Sequence, residues 1–457
     1  MKHIDIKDIL AKQYNGQQVT VCGWVRAARD SKTIAFVSLN DGTSLEHLQI
    51  VLDKAALGDV SDYLRMGAAL KVEGQVVDAV VKEGGVEVNA TSVTVLGECP
   101  PEYPLQKKRH TMEYLRTIPQ LRLRTNTFNA VFRVRSVLAG ALHRFFQERG
   151  FSYIHTPLIT GSDCEGAGEM FRVTTHPFAT PYTNEEDYYA NDFFGKKAGL
   201  SVSGQLEGEM AAMAMGKIYT FGPSFRAEKS NTPRHLAEFW HLEPEVAFAE
   251  LPDVIELAEN MIKYVIKDVM ERCPAELAFF EQHFEAGLRD KLNNIVHNDF
   301  AILDYTDAID LLAKADVEFQ YPHEWGCDLQ TEHERYITEK VFNKPVFVIN
   351  YPKAIKSFYM KQNADGKTVA ATDLLVPGVG EIIGGSEREA DLGKLLAAMR
   401  ERNMPEEAYS DYIDLRRFGS CPHGGFGLGF DRLVMYVTGM SNIRDVLLFP
   451  RTVGSLR

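Results

Sequence analysis

Phe225-Arg226-Ala227-Glu228 opens a stretch that continues through a polar loop, Lys229 to Arg234, to His235, Phe239 and Glu243 at intervals of four. Two strands joined by that loop present Arg226 and Glu228 on one face, and His235 and Phe239 return from the other strand. A guanidinium suits a phosphoryl group whose charge changes during reaction, because it donates bidentately and never deprotonates. An aromatic ring stacks on a purine. Read singly, Arg226 with Glu228 is a surface ion pair and Phe239 is core. Together, at this spacing, they point to a nucleotide.

A second run lies further on. Gly424-Gly425-Phe426-Gly427-Leu428-Gly429-Phe430-Asp431-Arg432 alternates glycine with apolar residues, then places an arginine at the start of a helix-like segment. Glycine weakens a strand, and its usual reason is close approach of a backbone or ligand. The chain has no P-loop, no HExxH, no GxSxG and no kinase signature. Its phosphate chemistry rests on the two arginines.

Outward from these runs, a helix is expected from about Asn126, with Val134, Leu138, Leu142 and Phe145 at helical spacing and Gly150 as its stop. Strand-like runs follow at 154–159, 200–203, 217–221 and 239–248, an amphipathic helix at 254–270, and a strand at 346–350. A hairpin is expected over 358–375 across Asn363-Ala364-Asp365-Gly366. Antiparallel hairpins with helices gathered between them favour an α+β domain over a doubly wound parallel sheet. The first hundred residues read as strands: a β-run from Val19, a hairpin over 33–52 turned at Asn40-Asp41-Gly42, and a pair, 70–81 and 86–96, joined at Lys82-Glu83-Gly84-Gly85. That pattern fits a small barrel or sandwich. Pro100, Pro101 and Pro104 close it. A basic stretch follows, from Lys107 through Arg109, Arg116 and Arg122 to Arg124, which is either a solvated linker or a patch for a phosphate backbone. The expected domains are 1–100, a linker 101–125, and 126–457.

At 457 residues, 45% hydrophobic and 25% charged, the chain is an ordinary globular one of several domains. No apolar stretch approaches membrane length, and the first residues carry no apolar signal region, so a cytoplasmic protein is expected. The six cysteines lie far apart with no CxxC pair, which speaks against structural zinc and a disulfide scaffold. A net charge of −13 disfavours nucleic acid on its face, but for a large enzyme the local field matters more than the total.

These residues resemble the class II aminoacyl-tRNA synthetases of the aspartyl/asparaginyl/lysyl branch. The helix 134–149 with the strand ending at Pro157 resembles the first family motif, Phe225 to Glu243 the second, and Gly425 to Arg432 the third, with Asp431 where the family more often has glutamate. The resemblance implies an N-terminal anticodon-binding barrel of the oligonucleotide-binding (OB) type, a catalytic domain on a six-stranded antiparallel sheet, and a homodimer through the first motif. It implies that Arg226 holds the α-phosphate of ATP and Phe239 stacks on adenine. Glu228 meets the adenine edge, and His235 and Arg432 engage the triphosphate tail. Asp373 and Glu381 are the implied Mg2+ ligands, a small carboxylate set of the kind that ion accepts beside phosphates and water. Arg226 and Arg432 carry the catalysis by positioning and charge stabilisation. In the barrel, Gly23-Trp24-Val25-Arg26, Phe36 and Gln49 resemble the family's anticodon contacts; a strand aromatic such as Phe36 is otherwise core.

Pocket polarity decides the amino acid. Aspartyl members carry a lysine three residues after a glutamine; here Ser203-Gly204-Gln205-Leu206-Glu207-Gly208 has glycine in that place. Asparaginyl members have a glutamate where Glu243 stands in Glu243-Pro244-Glu245, and both share the arginine found here as Arg388. An amide offers a donor and an acceptor, so Glu243 and Arg388 match it. Aspartate would set a carboxylate against Glu243, and like charges at ~4 Å cost about 4 kcal/mol at an effective dielectric of 20, roughly three decades. Gln205 joins the amino-acid set. Ser162 to Glu169 resembles the family's mobile loop, with Glu165 on the α-ammonium. His241 departs from the usual methionine and reads as a packing variant. The expected reaction is ATP-dependent activation of L-asparagine and transfer to the 3′-terminal adenosine of tRNA(Asn). The rival readings are an aspartyl or dual-specificity member, a nucleic-acid-binding scaffold, and an asparagine-making ligase.

Overall fold

The computed structural model describes residues 3–80, 84–164, 170–230 and 232–456. The chain forms two compact units, Met1–Ala130 and Val131–Arg457.

In the first unit, β1 (Gln18–Asp30), β2 (Ile34–Asn40), β3 (Leu48–Asp53), β4 (Ala69–Asp78) and β5 (Val86–Gly97) close into a barrel in the order β1-β2-β3-β5-β4. Alternate side chains point inward, so Val19, Val21, Val37, Leu39, Ile50, Leu52, Val72 and Val88 form its core. The hairpin expected at Asn40-Asp41-Gly42 is present but wider than a tight turn, because pairing stops at Leu39 and Leu48. Asn40 Nδ2 donates to the carbonyls of Ser44 and Glu46 at 2.9 and 3.2 Å, and these side-chain bonds build a longer loop. The expected turn at 82–85 falls partly on residues 81–83, outside the described residues. A bulge interrupts β1, whose pairing with β2 shifts between Val25 and Ala27 and leaves Arg26 as the extra residue. The basic stretch folds into the short helices Met112–Thr117 and Pro119–Arg122, and Arg122 is fully buried with its guanidinium 4.3 Å from the Phe128 ring centroid.

In the second unit, helix α1 (Asn126–Glu148) ends as expected before Gly150, whose φ of +79° suits glycine. After it come β6 (Ser152–Tyr153), α2 (Gln205–Met215), β7 (Lys217–Phe225), β8 (Glu238–Ala247), α3 (Leu251–Arg272), β9 (Ala301–Asp304), β10 (Val346–Ile349), β11 (Ala371–Val376), β12 (Gly380–Glu387), α4 (Ser410–Arg417), β13 (His423–Gly429) and α5 (Phe430–Thr438). The main sheet has eight strands in the order β9-β10-β11-β12-β13-β8-β7-β6. Its edges, β9 on β10 and β6 on β7, pair in parallel; every pairing between them is antiparallel. The expected six-stranded antiparallel sheet is its centre, and the whole is mixed.

Three expected strands differ, the run at 200–203 being strand only at Leu200, the last residue of Ala198–Leu200. Residues 154–158 are not strand, and only Ile159–Thr160 pairs, in a small separate sheet with Arg172–Val173 and Ala198–Leu200. The segment 358–370 makes only isolated bridges, Met360 with Arg388 and Gln362 with Val369. The strand that follows it, β11, pairs with β10 and β12 instead. Distant partners outcompete the local turn there, because two neighbours satisfy both edges of a buried strand.

Helix α3 covers one face of the sheet with Val254, Ile255, Ala258, Met261, Ile262 and Val265. Its start is capped reciprocally by Glu250 and Asp253. Three glycines of β13, Gly424, Gly425 and Gly427, are explained by crowding from neighbouring elements. A Cβ at Gly425 would overlap the Pro244 carbonyl and the Glu245 carboxyl group. Gly425→Ala is therefore expected to destabilise the second unit by about 1–3 kcal/mol, the usual cost of overpacking, read as a lower urea midpoint.

Candidate active site

Two cavities, about 420 and 150 Å³, open on the sheet face and share Arg226, His241, Glu381 and Gly427. The smaller is lined also by Glu228, Arg234, His235, Phe239 and Arg432. The larger holds Gln205, Glu243, Glu245, Asp373 and Arg388. The structure therefore gathers every sequence-predicted residue of the second unit except Glu165, which lies outside the described residues.

Register explains the gathering at the smaller cavity. Pairing of β7 with β8 ends at Phe225 and Glu238, so Arg226, Glu228 and His235 belong to the loop beyond the strands rather than to the strands themselves. Phe239 lies on β8, and the Arg226 guanidinium sits 5.4 Å from its ring centroid. Arg226 and Glu228 are 4.0 Å apart. Arg432 occupies the first turn of α5 and donates from Nη1 to the Glu381 carbonyl at 2.9 Å. Asp431, the shorter acid of the third motif, still reaches its partners: Arg135 at 2.5 Å and the Trp240 N–H, donating at 2.8 Å. Burial, then the charge of Arg432, holds His235 below its ordinary pKa, so it is neutral at pH 7. Two arginines beside a half-buried aromatic ring form a site for a polyanion carrying a flat base.

Across the shared wall lie the acids. Asp373 Oδ2 meets Lys356 Nζ at 2.5 Å, and Glu381 stands beside Asp373 around Gly384. Glu334, which sequence reasoning missed, joins them. Burial, then the charge of Glu381, pushes it up to about 8. Such crowding of carboxylates attracts a cation. Among the described residues no three His, Cys, Asp or Glu side chains converge as a complete metal cage.

At the inner end, the Glu243 carboxylate accepts from Ser203 Oγ, from Gly204 N at 3.0 Å and from Thr220 Oγ1 at 3.1 Å. His241 Nδ1 lies 3.2 Å away, and burial holds that imidazole below its usual pKa. Arg388, 2% exposed, is bound to both oxygens of Glu245. Beneath them is a buried network that sequence reasoning also missed. Glu209, on α2, accepts from Gln205 Nε2 at 2.9 Å, Arg416 Nη2 at 2.9 Å and Tyr412 Oη at 2.8 Å, and meets His423 Nε2 at 3.0 Å. No motif announces it. Only the run of polar residues on α4 hinted that this helix holds something charged.

In the first unit, cross-strand pairing puts Arg29 opposite Phe36, and Gln49 opposite both Ser38 and Glu87. Phe36 is not core; it is half-buried on the outer face, and Gln49 Nε2 donates to Glu87 at 2.7 Å. Arg26 goes elsewhere. Its bulge turns it into a cavity of about 360 Å³ with His47, Tyr103, Lys107, Lys108 and Arg124, which neither Phe36 nor Gln49 lines. Arg29, in register with Phe36, is a cation beside it on that face.

Residues 111–453 match the family described as tRNA synthetases class II (D, K and N), and residues 19–96 match the OB-fold nucleic acid binding domain. An asparagine–tRNA ligase of Acetivibrio thermocellus is 57% identical over 448 residues, 97% of each chain. A crystal structure of asparaginyl-tRNA synthetase from Pyrococcus horikoshii complexed with asparaginyl-adenylate superposes with a TM-score of 0.88 at 34% identity, covering 100% of this chain and 99% of that one. An aspartyl tRNA synthetase from Entamoeba histolytica, at 24% identity and a TM-score of 0.77 over 100% of this chain and 93% of that one, shares the fold. With its barrel, its arginine pair and its sheet, the chain belongs to the class II tRNA synthetases of the D, K and N group, in the asparagine–tRNA ligase family.

Proposed function

We propose that this chain activates L-asparagine with ATP as asparaginyl-adenylate, releasing pyrophosphate, and transfers the asparaginyl group to the 3′-terminal adenosine of tRNA(Asn). The observation that carries the reading is the continuity of the two cavities. The smaller fits a nucleotide, the larger fits an amino acid, and Arg226 lies on the wall they share.

Adenine stacks on Phe239, with Glu228 at its edge. Arg226 donates to the α-phosphate as the asparagine carboxylate attacks in line, and His235 and Arg432 hold the leaving pyrophosphate. Asp373 and Glu381, with Glu334 beside them, would hold Mg2+, whose chemistry is to screen the phosphate charge. Catalysis is then positioning and electrostatics. Arg388 donates to the side-chain carbonyl of asparagine. Glu243 accepts from its NH2 by exchanging one rotatable hydroxyl donor, Ser203 or Thr220. Gln205 lies within the same pocket, and Glu165 serves the α-ammonium.

Residues 1–100 read the anticodon, 101–125 are the hinge and 126–457 the catalytic domain. Phe36 stacks on a base, Gln49 hydrogen-bonds to one, and Arg26 and Arg29 meet the backbone. A homodimer through the first motif is supported by Tyr153, Leu158 and Ile159, large apolar side chains exposed on one protomer. No helix among the described residues is long and apolar enough to cross a membrane, and the reaction belongs in the cytoplasm with its tRNA.

Side-by-side pyrophosphate exchange is the test: asparagine is expected to outperform aspartate by ~10²–10³ in kcat/KM, and a preference for aspartate overturns the reading. Phe36→Ala checks the barrel. Loss of one base stack, about 1–3 kcal/mol, is expected to raise the KM for tRNA ~10–100-fold while exchange without tRNA stays unchanged.

A further inference from the structure

The reverse side of β13 carries a cavity that the proposed reaction leaves unused. Side chains alternate across a strand: a Cβ at Gly424 would strike Val254 on α3, whereas one at Gly425 or Gly427 would strike Glu245 or His241. Glu245 and His241 line the larger active-site cavity. The α3 side of β13 is therefore the opposite face. There a separate cavity of about 240 Å³ opens between α3, the end of β8 and the start of β7. Phe426 lines both this cavity and the larger one, so a single strand divides them.

Its floor is apolar. Phe151, Ala249, Val254 and Phe426 are buried there, with Val246 and Leu257 half-buried beside them. Its rim is charged, with Arg149, Lys217 and Asp253 all exposed. Asp253 is occupied as the reciprocal cap of α3, accepting from the Glu250 N–H at 2.8 Å. The two cations rest on rings instead of acids. The Arg149 guanidinium lies 3.9 Å from the Phe145 ring centroid and donates from Nη1 to the Phe145 carbonyl at 3.0 Å. Lys217 Nζ lies 5.8 Å from the Phe151 centroid. Among the described residues neither cation forms an ion pair, so two cations against one acid leave the rim positive.

We propose that this cavity binds a small apolar anion, an aromatic or branched aliphatic carboxylate, and that its occupant weakens asparagine binding through β13. The hydrocarbon body fills the floor, driven by the loss of water-exposed apolar surface. The carboxylate meets Arg149, whose planar fork matches it bidentately, with Lys217 beside it. A cationic ligand would face both, and a fully polar one would leave the floor unmatched. The volume falls below the ~300 Å³ at which drug-sized pockets begin, which keeps the ligand small. Communication with the amino-acid cavity follows from packing. β13 has no slack on its far side, because Gly425 already abuts the Pro244 carbonyl and Glu245. A body wedged against Phe426 pushes the strand towards the amino-acid cavity, and a close-packed interior passes the strain on instead of absorbing it. The binding site stands by itself; the effect on asparagine rests on the asparagine reading above.

Isothermal titration of the full-length chain with phenylpropionate tests the site, with neutral phenylpropionamide and acetate as controls. The acid is expected to bind once per chain in the millimolar range. The amide is expected to bind ~10-fold more weakly for want of a charged head, and acetate not measurably. Arg149→Gln combined with Lys217→Gln is expected to weaken the acid ~10-fold, and Leu257→Trp, which fills the floor, to abolish binding. Pyrophosphate exchange reads the second half: saturating phenylpropionate is expected to raise the asparagine KM ~5-fold to a ceiling, with no effect in Leu257→Trp. No binding of the acid, equal binding of acid and amide, or binding that survives both the double substitution and Leu257→Trp overturns the site. An asparagine KM unmoved while the probe is bound, or one that climbs without a ceiling as simple competition does, overturns the coupling. If Leu257→Trp does not fold, the double substitution, confined to exposed side chains, decides the site alone. A chain that exchanges no asparagine sinks the earlier reading and leaves the titration to judge the cavity.

Discussion

Arg226→Ala is expected to lower asparagine-dependent pyrophosphate exchange ~10³-fold, a loss of about 4 kcal/mol of transition-state stabilisation of the size seen for a single oxyanion donor. The side chain stands on the wall common to both cavities and faces Phe239 at 5.4 Å. Among the described residues it is the arginine that lines both cavities. Its charge matters most when negative charge redistributes over the α-phosphate, so the fall is expected in kcat more than in either KM. Lysine at 226 is expected to recover little, because a point charge cannot reproduce a two-pronged donor. The fold survives, since the main-chain bond from Arg226 N to the Ala237 carbonyl, 3.0 Å, does not depend on the side chain. An alanine variant within tenfold of the unsubstituted rate would remove the arginine from the reaction.

Glu209→Ala is expected to cost the second unit about 3–5 kcal/mol in equilibrium urea unfolding, because it strands buried cations without their partner. Glu209 is fully buried, and Arg416, also buried, and His423 both rest on it. Burial works against the charge of Glu209, but Arg416, His423 and Arg388 together outweigh it and hold the carboxyl well below its usual range. A depressed carboxyl stabilises the fold when ionised. That contribution is complete above the unfolded value, about 4.3, and is lost as pH falls through and below it toward the folded value. Glu209→Gln keeps the shape and one acceptor. It is expected to flatten the acid limb of the stability profile between about pH 4 and 2, while costing less at pH 7 than alanine does. An acid limb unchanged by Glu209→Gln would show that other carboxylates carry it.

The network also bears on the site. Gln205 and Arg388, both expected from sequence to serve the amino acid, contact Glu209 from above. A loss of rigidity there reaches the pocket through two of its walls.

The residues proposed for the nucleotide were legible in the sequence as one set because they are close along the chain, and they line one cavity. Arg226, Glu228, His235 and Phe239 lie on one hairpin, and Arg432 stands at the junction of a glycine strand and a helix. Proximity along the chain places such residues, since Arg226, Glu228 and His235 share the loop that joins two paired strands and the first turn of a helix follows its strand directly. The barrel was legible for the same reason, although its bulge at Arg26 was not: one extra residue leaves no mark on composition.

How the acids proposed for the amino acid are paired was decided only by tertiary structure. Glu243 and Glu245 are two apart on β8 and point to the same face, so spacing could not tell which of them takes Arg388, 143 residues away. Register and depth made that choice, giving Glu245 to the arginine and Glu243 to Ser203, Gly204 and Thr220. Glu209, Arg416, His423 and Glu334 carry no local signature, because each is an ordinary charged residue until burial removes its water. Chain order determined which chemical groups this protein owns and where its phosphate site lies. Which charges cancel, and hence what the amino-acid pocket accepts, depended on side chains from separate elements meeting where no solvent can neutralise them.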